Sequence, residues 1–307
     1  MKKDVGLYLL GGITLVSELD LPELPRIQPK QATPHPAHIR VGEVAPPDGV
    51  DAVQMDPDCF GSRSRYYLRI QGVGRYLVSE GQEIVVSPEP GVLALDVRGY
   101  LLGALFVVLC QQRGLLPLHA SALSSERGVV AFPGRSGQGK SSLAAHLAQR
   151  GFPVLADDVC LIDPLQADGT MVIPTAPWLK LWRNSLETLG RSADKLDRVF
   201  SDDDKYRLPL APAVQAEPLR FLIFLEVREQ PSTAVTIEDI SPAAAIPLLM
   251  NLTHHAYLLE ATGQREESFL RCSRVSAHVR AYRLLRPWGL THLPATLDAL
   301  EEFLRSK

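Results

Sequence analysis

The residues best spaced for chemistry are Gly134, Arg135, Ser136, Gly137, Gln138, Gly139, Lys140 and Ser141, with Ser142 directly after them. They fit G-x-x-x-x-G-K-[ST], in which successive backbone N–H groups and the N-terminus of the following helix form a cage for phosphate oxygens. The glycines permit that backbone path. Lys140 can then reach the β- and γ-phosphates, and the Ser141 hydroxyl can take a Mg²⁺ position. The chemistry expected is binding of a nucleoside triphosphate with Mg²⁺ and transfer of its terminal phosphoryl group. The plain alternative, a glycine-rich turn without a ligand, is disfavoured by context: an apolar strand over 128–132 precedes the loop and a helix over 140–150 follows it.

A second group is Asp157-Asp158, at the end of a short apolar strand over 154–156. Strand ends are where α/β sheets present ligand-binding groups. Two adjacent carboxylates can divide the work, one orienting or deprotonating an acceptor hydroxyl and the other holding Mg²⁺. The competing reading is an acidic turn on a solvated edge, as for Asp202-Asp203-Asp204. His119, in Leu118-His119-Ala120-Ser121, precedes the strand that feeds the loop. Alone it reads as a core or turn residue, and near a phosphate site it could contact the γ-phosphate or pair with an aspartate. His35 and His38 lie in a proline-rich segment with no partnering cysteine or carboxylate cluster, so no metal is assigned there. His254-His255 carries no readable signal.

These groups need a frame. The order strand, loop, helix, strand is that of a mononucleotide-binding unit in an α/β fold. Further strands are expected over 219–227 and 234–237, with helices over 242–252 and 294–305. Upstream, 20–60 is rich in proline and poor in periodicity, and short runs over 66–70, 75–78 and 83–86 read as an antiparallel meander. The expected organisation is a β-rich N-terminal domain over 1–98, including the proline-rich segment, and a catalytic domain over 99–307.

Composition narrows the partners. The chain has 307 residues, 46% hydrophobic and 22% charged, enough to bury one large core or two smaller ones. A net charge of -3 offers no broad basic field, so no nucleic-acid partner is expected. Cys59, Cys110, Cys160 and Cys272 form no CxxC pair, which fits free thiols in a reducing, cytoplasmic setting. The apolar run over 5–16 reads as a strand rather than a secretory signal, because it contains Gly11-Gly12 and ends in Ser17-Glu18. The apolar stretch over 100–110, in a helix near 99–113, reads as buried and too short for a bilayer, so no membrane span is expected.

Taken in order, Leu118-His119-Ala120-Ser121, the loop from 134 to 141 and Leu155-Ala156-Asp157-Asp158 resemble the HPr kinase/phosphorylase family. More closely, they resemble its stand-alone kinases encoded with peptide-modification pathways such as those of lasso peptides. The resemblance covers about 100–307. It implies a P-loop kinase fold shared with ATP-dependent phosphoenolpyruvate carboxykinase, carrying a small β-rich N-terminal domain. It also implies Asp157 as the base toward an acceptor serine, Asp158 as a Mg²⁺ ligand, His119 as a phosphate-side partner, and association into a homo-oligomer. Downstream, Pro177-Trp178-Leu179-Lys180-Leu181-Trp182 and Lys205-Tyr206-Arg207 resemble segments of the smaller homologues. They suggest Lys180, Lys205 and Arg207 as phosphate or substrate contacts, against an equal reading as solvated cations. The glutamate-x-arginine-glycine motif of full HPr kinases is absent, since Glu226-Val227-Arg228 lies much farther along and is followed by Glu229.

The function expected is ATP- and Mg²⁺-dependent phosphorylation of a serine on a peptide or small protein. A small-molecule kinase and a nucleotide-sensing module remain the alternatives.

Overall fold

The computed structural model describes residues 5–46, 52–166, 169–175, 177–211, 213, 215–227 and 233–306. The chain divides into two compact units. One comprises Met1–Leu115, Arg198–Asp203 and His255–Ser268, and the other Leu116–Asp197, Asp204–His254 and Phe269–Lys307.

The first unit is built on eight strands: β1 (Gly6–Leu10), β2 (Ile13–Ser17), β3 (Ala37–Val41), β4 (Val53–Asp56), β5 (Cys59–Gly61), β6 (Arg65–Ile70), β7 (Gly74–Ser79) and β8 (Glu83–Pro88). They form one sheet in the order β1-β2-β3-β8-β7-β6-β5-β4. The meander expected from the sequence is β6 to β8. The apolar N-terminal run is a hairpin rather than a single strand. Gly11 and Gly12 both take positive φ, 55° and 69°, as a tight turn matched to strand twist requires. The proline-rich segment holds β3, β4 and β5, more regular structure than its composition suggests, because β3 lies between β2 and β8 and pairs with both.

The boundary expected after residue 98 falls within this unit. The helix Ala94–Gln112 belongs with the N-terminal strands: the Tyr76 hydroxyl donates to the Val97 carbonyl at 3.4 Å, and the Gly81 N–H donates to Gln112 Oε1 at 2.8 Å. This helix starts earlier than expected and is long and apolar enough to cross a membrane by length and composition. Its second half is nonetheless core, since every residue from Phe106 to Gln111 is buried. All four cysteines are buried thiols.

Among the described residues the second unit carries ten strands: β9 (Leu116–Ser125), β10 (Gly128–Pro133), β11 (Val154–Ala156), β12 (Val159–Gln166), β13 (Gly169–Ile173), β14 (Trp178–Trp182), β15 (Lys205–Pro209), β16 (Glu217–Val227), β17 (Thr236–Ile240) and β18 (Arg280–Arg286). At its centre β10, β16 and β18 run parallel, with β9 antiparallel to β10 and β17 antiparallel to β18. Alternation along β10 sends Val130 and Phe132 to one face, where Leu143 and Leu147 of the helix Lys140–Gln149 and Leu297, Leu300 and Leu304 of the helix Leu293–Ser306 cover them. Val129 and Ala131 point the other way, into a core with Ala245 and Leu249 of the helix Pro242–Leu252 and with Cys272 and Val275 of the helix Arg265–His278. Helices on both faces of a sheet with a parallel centre make this a mixed α/β unit.

The sequence does not signal β18 or the helix Arg265–His278 before it. Arg280, Arg283 and Arg286 interrupt the apolar pattern of the strand. Its buried residues are Ala281, Tyr282, Leu284 and Arg286.

Candidate functional site

The glycine-rich loop joins β10 to the helix Lys140–Gln149, as its spacing predicts. Gly137 (φ 83°) and Gly139 (φ 78°) occupy the left-handed region, where a side chain is strained. A Cβ on Gly139 would also come within 3.1 Å of the Arg286 guanidinium. Gln138 holds the loop from inside, its Oε1 accepting from the Arg135 N–H at 2.6 Å.

Beside the loop is a cavity of about 350 Å³. Of the loop residues expected to bind nucleotide, Ser136, Gly137, Gly139, Lys140, Ser141 and Ser142 line it. Gly134 is buried behind it, Arg135 is exposed, and Gln138 faces the loop itself. His119, Asp158, Lys180 and Lys205 complete the wall, with Trp182, Arg286 and Trp288. Arg207, expected as a phosphate or substrate contact, does not line it; its guanidinium carbon lies 5.7 Å from the centroid of the Trp178 ring.

Pairing within the sheet explains how distant residues converge. β9 accepts β11 along its second half and β12 along its first, both antiparallel. Asp157-Asp158 is the step between those two strands. His119 and Ser121 on β9 alternate to one face, toward that step. The Ser121 hydroxyl donates to Asp157 Oδ1 at 2.6 Å, and the Lys180 backbone N–H donates to Asp157 Oδ2 at 2.8 Å.

Asp157 is only 3% exposed, both its oxygens are engaged, and it does not line the cavity. The reason is a change of backbone hand: Asp158 has φ 67°, a strained value for a non-glycine residue, which turns its side chain to the cavity while Asp157 points inward. Asp158 Oδ2 accepts from Lys180 Nζ at 2.7 Å, and Asp158 Oδ1 lies 3.4 Å from His119 Nε2. Burial works to raise the Asp158 carboxyl, but Lys180, His119 and His254 outweigh it and hold it well below the usual carboxylate range.

Lys140 is buried, 5% exposed. Its Nζ donates to the Arg135 carbonyl at 3.0 Å and lies 3.0 Å from His119 Nε2. Burial lowers its pKa to about 8, against the opposing pull of Asp158 and Asp157.

His254, unreadable in the sequence, belongs to this site. The bridge of Thr253 to Leu118 brings it to β9; its ring centroid is 4.9 Å from that of His119, and its Nε2 donates to the Asp158 carbonyl at 2.6 Å. Among the described residues, His119, Asp158 and His254 are the one group whose ligand atoms cluster closely enough to hold a metal ion, within 4.8 Å of one another. Asp158 and Ser141 offer oxygen donors to the same cavity. His35 and His38 are not part of such a group. Arg228 and Glu229 lie outside the described residues.

Four cations, Lys140, Lys180, Lys205 and Arg286, thus face a wall whose carboxylate is Asp158. This imbalance, at a helix N-terminus and a glycine-rich loop, suits a multiply charged anion.

No family model matches the chain, and no curated protein matches it. Among solved structures it is similar to the Hpr(Ser) kinase/phosphatase from Coxiella burnetii, at 11% identity and a TM-score of 0.31, over 62% of this chain and 97% of that one. The fold and the cavity define a mixed α/β protein with a cation-lined cleft at a glycine-rich loop.

Proposed function

We propose that this protein is a phosphotransferase that binds a nucleoside triphosphate, ATP in the first instance, and moves its γ-phosphoryl group to a serine hydroxyl of a peptide or small protein. A ribosomally made precursor peptide is the acceptor that the sequence resemblance favours. The observation that carries the reading is the convergence of Lys140, His119, Asp158 and Lys180 on the cavity at the glycine-rich loop. A loop that only turned the chain would not need a buried lysine and an ionised aspartate aimed into one cleft.

Phosphoryl transfer asks a protein mainly for positioning and charge neutralisation. The loop N–H groups and Lys140 would hold the β- and γ-phosphates. Ser141 and Asp158 offer the oxygen donors that Mg²⁺ prefers, and the cation would neutralise charge on the transferring group. Asp158, kept ionised by Lys180, replaces Asp157 as the carboxylate that orients the acceptor hydroxyl. His119, between Lys140 and Asp158, is placed to receive the proton that the hydroxyl loses. Lys205 and Lys180 supply charge on the same wall.

Intact-mass analysis of serine-containing peptides after incubation with protein, ATP and Mg²⁺ tests this. Phosphate added by the native protein, and added far more slowly by Asp158→Asn, is the expected result. Nucleotide binding with no phosphorylated product from any acceptor would instead favour a sensor.

A further inference from the structure

Arg286 is one of the four cations on the cavity wall, and its own part there has not yet been assigned. It ends β18 and reaches the loop because β18 pairs with β16 and β16 with β10, all parallel. It is 5% exposed and lines the cavity. One terminal nitrogen donates to the Gln138 carbonyl at 2.5 Å, while Nε is buried without a hydrogen-bond partner. No carboxylate lies within ion-pairing distance of it among the described residues; its other neighbour is the Trp288 ring, 5.6 Å from the guanidinium carbon.

A buried, unpaired guanidinium is costly, and such groups persist where a partner completes them. Its rigid fork of donors matches phosphate geometry. It also packs against Gly139, where a side chain would crowd it, so it approaches the loop backbone that would wrap the phosphates.

We infer that Arg286 is a phosphate ligand of the loop, held in position by the Gln138 carbonyl and completed by the bound polyphosphate. This rests on the nucleotide-binding reading above and adds to it a residue from the far end of the chain. Arg286 then closes the cavity wall beside Gly139, and Trp288 shields the guanidinium from water on its outer side.

Thermal melts of the full chain, alone and with Mg²⁺ plus either ATP or inorganic tripolyphosphate, separate this from a structural role. With Arg286→Met, the free protein should melt at an unchanged or higher temperature, because an unpaired buried charge is gone. The rise produced by ATP and by tripolyphosphate should shrink together, matching a roughly 10- to 100-fold loss of affinity. Arg286→Lys, which keeps charge but not the fork, should retain part of that rise. It carries the test alone if the methionine variant does not fold. A lower melting temperature for the free variants with ligand-induced rises intact would overturn the inference while sparing nucleotide binding. No rise in the native protein with either ligand would overturn both.

Discussion

Asp157 and Asp158 are neighbours with opposite surroundings: the first is sealed under Ser121 and the backbone of Lys180, and the second turns at φ 67° to meet the Lys180 ammonium at 2.7 Å. Lys180 therefore touches both, through its backbone N–H and its side chain. A shift in β14 would disturb the packing of one aspartate and the charge of the other together.

Substitution should separate the two. Asp157→Ala strands the Ser121 hydroxyl and the Lys180 N–H in the interior and should cost about 2 kcal/mol of stability, read from the denaturation midpoint. Asp158→Asn removes the carboxylate that the Lys180 ammonium meets, so it should lower the midpoint as well, but its distinguishing effect should be on transfer, slowed by roughly 10²- to 10³-fold.

The buried amine of Lys140 gives a pH signature with two opposite signs. Its pKa is about 8 when folded, against 10.5 for an ordinary lysine. Between those values the unfolded chain binds the additional proton, so this group's contribution makes stability rise with pH from about 8 to 10.5. Triphosphate affinity should fall over the same interval, as the ammonium is lost. Melting curves and binding isotherms measured across that range should diverge in native protein, and the divergence should vanish in Lys140→Met.

His254 supports the strained turn at Asp158 through its Nε2–H bond to the carbonyl there. His254→Ala should lower kcat about tenfold with little change in the KM for nucleotide. His254→Gln, which keeps an N–H donor, should restore part of it. Steady-state kinetics of the two variants distinguishes this from loss of nucleotide binding, which would raise KM instead.

At Gly139, alanine meets both the left-handed φ of 78° and the Arg286 guanidinium. Gly139→Ala should weaken nucleotide binding about tenfold, from a strain of roughly 1–2 kcal/mol, while circular dichroism shows the fold retained. Gly137→Ala meets the same backbone strain with no atom within 4 Å of the added carbon, and so should be the milder change.

The parts of this site that the sequence discloses are those encoded locally. The loop is legible because glycine and lysine spacing is itself the device, and the helices Lys140–Gln149 and Pro242–Leu252 follow from apolar periodicity. Which aspartate faces the cavity is decided by the sign of one φ angle, and no residue type at that step reveals it. His254 and Arg286 reach the site only through pairings between strands and bridges far apart in the chain, Thr253 with Leu118 and β18 with β16. Arg207 illustrates the converse: it is paired with Lys180 in register, yet it packs against Trp178 instead of lining the cavity. In the N-terminal unit, proline content obscured β3, since pairing on both edges outweighs poor local propensity.

Phosphoryl transfer at this cavity is tested most directly by intact-mass analysis of a serine peptide after incubation with ATP, Mg²⁺ and the protein. One added phosphate per acceptor serine is expected with native protein, and roughly 10²- to 10³-fold slower addition with Asp158→Asn, although that variant still binds ATP. Unchanged phosphorylation by Asp158→Asn, or abolition by a folded Asp157→Asn while Asp158→Asn stays active, would contradict it.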